Sequence, residues 1–194
     1  MSEQIWWYLS RSSGIIAWLL LAASCLWGVL MVTRMLKPAD RPAWMLDLHR
    51  WLGALAVITT GIHLGALVAD NYVHFGWAEI LVPQASEWKT FPVTMGVIAF
   101  YFLVLVEASS LMMKRLPRRV WHGIHLTSYI SFVLATSHGV YAGTDRTNLF
   151  FVVLGSGIVF IVGFATLARY LQGKAKAAQK PQRTATACTS PEPA

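Results

Sequence analysis

A chain of 194 residues that is 56% hydrophobic and 13% charged, with a positive mean hydropathy, excludes an ordinary soluble domain and points to a small integral membrane protein. Its net charge of +7 comes from Lys and Arg lying mostly outside the apolar runs. The charge therefore reads as a topology signal with some attraction to membrane lipid, and no nucleic-acid partner is expected.

In chain order, residues 1–14 (MSEQIWWYLSRSSG) hold one acidic residue, one Arg and a Trp-Trp-Tyr cluster. That composition suits an outer interfacial N-terminus and does not fit a cleaved signal peptide. Five apolar runs follow, at about Ile15–Val32, Met45–Val68, Val93–Met113, Val120–Tyr141 and Leu149–Leu171. Each is near the ~20 residues that cross a hydrocarbon layer. The expected fold is an all-α integral membrane protein, with a five-helix transmembrane bundle over residues 15–171 and a disordered cytoplasmic tail over 172–194. The longest outer loop, DNYVHFGWAEILVPQASEWKT, is amphipathic and is predicted to fold over the bundle end as a lid, with His74 a solvated loop residue. Cys25 lies inside the first run and Cys188 in the tail, and neither has a partner at disulfide or metal-site spacing.

Thirteen of the sixteen Lys and Arg fall on one side of these runs, among them Arg50, Arg115, Arg118, Arg119 and Arg169. The other side has Arg11, Lys89 and Arg146 with five of the nine acidic residues. The positive-inside rule then places the N-terminus outside and the C-terminus in the cytoplasm of a multi-pass plasma-membrane protein.

In this topology the second and fourth runs are parallel, and they carry the intramembrane histidines: His49 and His63 on one, His122, His125 and His138 on the other. At 1.5 Å per residue, His49 to His63 rises roughly 21 Å and His125 to His138 roughly 20 Å. Each helix thus offers an imidazole near each leaflet. Matched heights are what two stacked bis-histidine b-type haems require, His49 with His125 and His63 with His138. Nearby glycines at 53, 61, 65, 123 and 139 make room for a flat macrocycle. Fourteen residues return His63 to within about 40° of His49, whereas thirteen leave His138 about 140° from His125 on a straight helix. His122 is the reserve ligand, with an offset of about 160°.

Other residues have lesser candidate roles. Arg50, Arg115, Arg118 and Arg119 are candidates for the propionates of a cytoplasmic-side haem, and Arg11 or Arg146 for those of an outer one. Glu107 is a candidate proton relay or a structural carboxylate. Trp51 and Trp121 are neighbours of ligands that either line the cofactor or anchor the interface. No catalytic residue is assigned.

The pattern HRWLG with a second His fourteen positions on, WHGIHLTSY followed by HGVYAGTD, and the opening WYLSRSSG resemble the ferric reductase-like transmembrane domain, the haem-bearing core of NADPH oxidases and ferric reductases. The resemblance covers residues of about 6 to 171. It implies two haem b groups, ligated by His49 with His125 on the cytoplasmic side and His63 with His138 on the outer side. It implies that His125 rather than His122 is the ligand, and that the angle along the fourth run is tolerated. It also implies electron transfer from a cytoplasmic or membrane donor to an outer acceptor, as an oxidoreductase subunit.

NADPH oxidases continue into flavin and nicotinamide domains, and this chain has no Gly-rich nucleotide loop. No FAD or NAD site is expected in it, and the donor is a separate flavin or NAD(P)H-oxidising protein or a membrane carrier. A relative that serves a periplasmic methionine sulfoxide reductase typically has Arg where this chain has His49, so the intact second pair favours the two-haem type. The alternatives are a quinone-linked cytochrome b, a haem subunit of a periplasmic reductase system, and, from another class, a haem-free metal transporter or sensor.

Overall fold

The computed structural model describes residues 2–33, 43–70, 75–144 and 147–187, with side chains over 4–175 of these. His74, Arg146 and Cys188 lie outside the described residues. The elements are α1 (Ser2–Thr33), α2 (Ala43–Ala69), the short α3 (Trp77–Leu81), α4 (Thr90–Leu111), α5 (Arg118–Ala142) and α6 (Leu149–Ala187), with no strand among the described residues.

Among the described residues four helices are long and apolar enough to cross a membrane: Gln4–Thr33, Ala43–Ala69, Thr90–Leu111 and Leu149–Ala175. The expected fifth span coincides with α5. Its 25 residues would extend about 37 Å, long enough to cross. Three histidines, two arginines and several hydroxyls keep it below the apolarity of the other four. Two boundaries also move. Helix α1 takes in residues 2–14, expected at the interface, and α6 runs on to Ala187 through a stretch rich in Ala, Lys and Gln, with Gly173 and Pro181 within it.

Local chemistry accounts for the breaks. Pro92 sits in the first turn of α4, where its missing N–H has no helical partner to lose, and Pro117 stands immediately before α5. Lys89, in left-handed conformation at the N-cap of α4, donates from Nζ to the carbonyls of Ala142 (3.1 Å) and Tyr141 (3.4 Å). It thereby satisfies the open end of α5 and ties it to the start of α4.

Helix α1 packs along α2, and α4 along α5, as two antiparallel hairpins; α1 also meets α5 and α6, and α2 meets α4. Between the hairpins lies one apolar layer built from Leu21, Cys25, Ala56, Leu103, Phe132 and Val162. Trp18 stacks on Phe132 with centroids 6.1 Å apart, and its Nε1–H donates to Thr136 (2.9 Å). Ser131, fully buried, donates to the Ala99 carbonyl (2.9 Å) across the α4–α5 contact. Outward-facing positions are apolar instead of polar: Phe160 is 72% exposed and Phe164 64%. Such side chains have their match in lipid tails rather than in water.

The segment between α2 and α4 is apolar on its inner side. Phe75 and Ile80 are buried against Val93, Val97, Leu64 and Leu67, so the described part of this segment, from residue 75, lies over the ends of α2 and α4.

Candidate functional site

The histidine-bearing helices α2 and α5 do not pack closely against each other, although each is packed along a neighbour. They are bridged at two levels by imidazoles. His49 and His125 have ring centroids 5.8 Å apart with planes at 71°, and His63 and His138 are 6.4 Å apart at 76°. Both partnerships form along an uninterrupted α5, so the 13-residue spacing needs no break in winding.

The helices behind each histidine fix its ring. His63 Nδ1–H donates to the Ser10 carbonyl (2.6 Å), and His138 Nδ1–H to the Pro92 carbonyl (2.8 Å). A carbonyl only accepts, so these bonds place the proton on Nδ1 and leave the Nε2 lone pair free. At the other level, His49 Nδ1 lies 3.3 Å from the Ser24 hydroxyl and His125 Nδ1 lies 3.5 Å from the Ser110 hydroxyl. Ser110 donates its own proton to the Val106 carbonyl (2.8 Å), so it faces His125 as an acceptor.

Glycines make these approaches possible. A Cβ on Gly14 would lie 3.0 Å from the His63 ring, one on Gly96 2.7 Å from His138 Nδ1, and one on Gly28 3.4 Å from His49. Ser10 and Gly14, and Ser24 and Gly28, are the same Ser-x-x-x-Gly unit repeated fourteen residues along α1, matching the fourteen residues from His49 to His63 on α2. Pro92 and Gly96 repeat the arrangement on α4. In each unit the glycine stands one turn after the residue whose carbonyl or hydroxyl the ring meets, so the missing side chain lets imidazole reach it. Sequence reasoning missed these supports; the signal available was the fourteen-residue repeat, whose first copy lies inside WYLSRSSG.

Chemically, each level is a pair of neutral-type donors facing one another. Metal–imidazole bonds of about 2.0–2.1 Å put two ligands of one metal with ring centres roughly 6 Å apart, which the two centroid distances match. Among the described residues no group of three or more His, Cys, Asp or Glu stands ready for a metal ion. A bare ion usually takes about three or four protein ligands; a macrocycle that brings its own equatorial nitrogens needs only the two found at each level.

A family profile described as "Ferric reductase like transmembrane component" matches residues 13–136. The chain belongs to this family. The family generally binds haem, and membership points to transmembrane electron transfer in a multi-pass membrane protein. The matched stretch of this ferric reductase-like chain takes in Gly14, Gly28, His49, His63, Gly96 and His125, and ends two residues before His138. Neither the curated proteins nor the solved structures compared with the chain match it.

The remaining candidates fall in different places. His122 is exposed on α5 and its ring lies nearest Trp121, at 6.3 Å, instead of facing His49. Trp121 stacks on His125 (5.1 Å, planes at 22°), so it supports a ligand candidate; Trp51, 65% exposed, points away from the ferric reductase-like site. Arg50 pairs with Asp47 at 3.6 Å on an exposed face, and Arg115, Arg118 and Arg119 are exposed around the start of α5. Arg11 lies over the Trp7 ring at 4.8 Å. Glu107 reaches Gly53, where a Cβ would meet its Oε2 at 2.8 Å. Of the glycines expected to make room, Gly53 therefore admits a carboxylate, while a Cβ at 61, 65, 123 or 139 meets nothing within 4 Å.

Proposed function

We propose that this chain holds two b-type haems, one between His49 and His125 and one between His63 and His138, and passes electrons across the plasma membrane between them. The observation that carries the reading is the pair of facing imidazoles at each of two levels, each ring backed at Nδ1, in a gap that α2 and α5 leave between them. Bound haem supplies a one-electron ferric/ferrous couple. The chain supplies axial ligands, holds their tautomer through Ser10, Pro92, Ser24 and Ser110, and keeps water from the space between the levels with the Leu21–Ala56–Leu103–Phe132 layer. With two imidazoles of this chain held to each haem, no position would be left for an acceptor to bind the iron, and transfer to it would be outer-sphere.

In this reading α5 is the fifth span. Its His125, Ser131, Thr136 and His138 are turned toward neighbouring helices, and its exposed Arg118, Arg119 and His122 lie in its first turns, at the membrane boundary. The N-terminus is outside, the His63/His138 level is the outer one, and electrons enter at the His49/His125 level from a separate cytoplasmic or membrane donor. The exposed arginines around the start of α5 stand on that entry side.

The test is a reduced-minus-oxidised spectrum of the purified chain with haem quantified per polypeptide. Two haems are expected, with one lost in His63→Ala or His138→Ala and the other in His49→Ala or His125→Ala. A colourless protein overturns the reading.

A further inference from the structure

We infer that Ser110 sets the two haem potentials apart, making the His49/His125 haem the more easily reduced of the two. This rests on the proposed two-haem reading. Its basis is a break in an otherwise repeated seat. Three of the four ligand candidates are backed by a unit with glycine one turn after the residue the ring meets: Ser10 and Gly14 for His63, Ser24 and Gly28 for His49, Pro92 and Gly96 for His138. The fourth seat, behind His125, has Val106 and then Ser110 at the place where the others have glycine. The Ser110 hydroxyl stands where the other seats have open space and donates to the Val106 carbonyl at 2.8 Å, beside Ser109, which donates to the same carbonyl at 2.9 Å. His125 Nδ1 is left with a hydroxyl oxygen at 3.5 Å, against carbonyls at 2.6 and 2.8 Å for His63 and His138.

The consequence for an iron follows from ligand basicity. A short Nδ1–H bond to a carbonyl pushes electron density onto the ring and raises its basicity toward the metal. A more basic axial ligand favours the ferric form, which lowers the potential. Both ligands of the outer haem have that bond. At the inner haem, His49 meets Ser24 at its hydroxyl (3.3 Å) and at its backbone, while His125 has a hydroxyl at the edge of hydrogen-bonding distance. The orientation of His125 comes instead from the stacked Trp121 ring, which fixes the plane without accepting the proton. Ser110 is thus a positioning residue acting through His125.

Two substitutions at this one position separate the explanations by sign. Ser110→Gly recreates the seat found at the other three ligands and removes one of the two hydroxyls on the Val106 carbonyl, leaving it as the Ser10 carbonyl is, shared between the hydroxyl three residues on (Ser109 at 2.9 Å, as Ser13 at 3.1 Å) and a ring. Ser110→Ala removes the hydroxyl but keeps a Cβ in the way. Spectroelectrochemical titration of the full-length haem-loaded protein reads both, with His63→Ala identifying the inner wave as the one that survives. The expected result is two waves in the wild type, the higher one surviving in His63→Ala. Ser110→Gly should lower that wave by about a tenfold change in ferric-to-ferrous stability, roughly 59 mV for a one-electron couple. Ser110→Ala leaves it at or above the wild-type value, Ser110→Thr holds it, and the lower wave stays in place throughout. Survival of the lower wave in His63→Ala, coincident waves, or a Ser110→Gly wave that does not fall would overturn the assignment. Absence of haem from the wild type would instead sink the two-haem reading itself.

Discussion

Substituting Gly96 by Ala tests whether the glycines behind the histidines are there for the rings. A Cβ at this position lands 2.7 Å from His138 Nδ1, 2.9 Å from Cε1 and 3.0 Å from Cγ. Comfortable contact is about 3.5–4.0 Å, so the ring must retreat by about 1 Å. Its bond to the Pro92 carbonyl, now 2.8 Å, would then exceed the hydrogen-bonding limit of about 3.2–3.5 Å. Overpacking costs about 1–3 kcal/mol and the lost bond about 1 kcal/mol. The gain in helix propensity from Gly to Ala, also about 1 kcal/mol, offsets the second of these. The net 1–3 kcal/mol corresponds to roughly 5- to 150-fold weaker retention of one haem, at about 1.4 kcal/mol per tenfold. Haem per chain after dilution and dialysis, with the spectrum of what remains, reads the effect: Gly96→Ala keeps the haem of His49 and His125 and loses the other. Gly14→Ala, with its Cβ at 3.0 Å, should be milder, and Gly28→Ala, at 3.4 Å, milder still. Gly155→Ala on α6, where a Cβ meets nothing within 4 Å, should hold both haems. Equal loss from Gly28→Ala and Gly96→Ala, or no loss from Gly96→Ala, would refute the steric argument.

His122→Ala should keep both haems, because its ring is exposed and does not face His49; loss of either in the spectrum would restore it as a ligand. Gly53→Ala should lower thermal stability by about 1–3 kcal/mol through the Glu107 clash, and Glu107→Ala should relieve most of that, giving a favourable coupling in a double-mutant cycle. Additive single effects would show that the carboxylate simply moves aside. Thr136→Val leaves the Trp18 Nε1–H without its acceptor and should destabilise the bundle by about 1–3 kcal/mol in a denaturation assay, while haem content at saturating haem stays the same.

The second helix and its histidine spacing were legible because a 14-residue interval nearly closes four helical turns, so His49 and His63 share a face by arithmetic. Its partner was legible in height but not in angle. The straight-helix offset between His125 and His138 is real, and side chains reaching from a helix spaced away from α2 accommodate it. Four spans were legible from apolarity. The fifth helix was found where expected, yet the histidines, arginines and hydroxyls that make it interesting also dilute the signal by which spans are recognised. The supports behind the rings were not legible as such. Ser10, Gly14, Ser24 and Gly28 stand on α1, and the register between α1 and α2 is a tertiary fact that no local pattern in either helix states. The glycines close in sequence to the histidines were expected to make room for a macrocycle; those that receive the imidazole rings are others, on the neighbouring helices, where the packing partner and not the chain neighbour decides what fits.

The gap between α2 and α5 has a consequence for how the molecule is assembled. With two hairpins that meet where α1 packs on α5 and α2 on α4, while α2 and α5 themselves stay apart, the proposed cofactors become tertiary contacts in their own right, two rivets across the space that these two helices leave between them. Ligands that bind only the folded form stabilise it by RT ln(1 + [L]/Kd), about 4 kcal/mol at a thousandfold excess over Kd. Supply of haem would then govern the lifetime of the chain in the bilayer as well as its colour. A cell short of haem would hold a bundle joined by its apolar layer and the α1–α5 and α2–α4 contacts alone, and so turned over sooner.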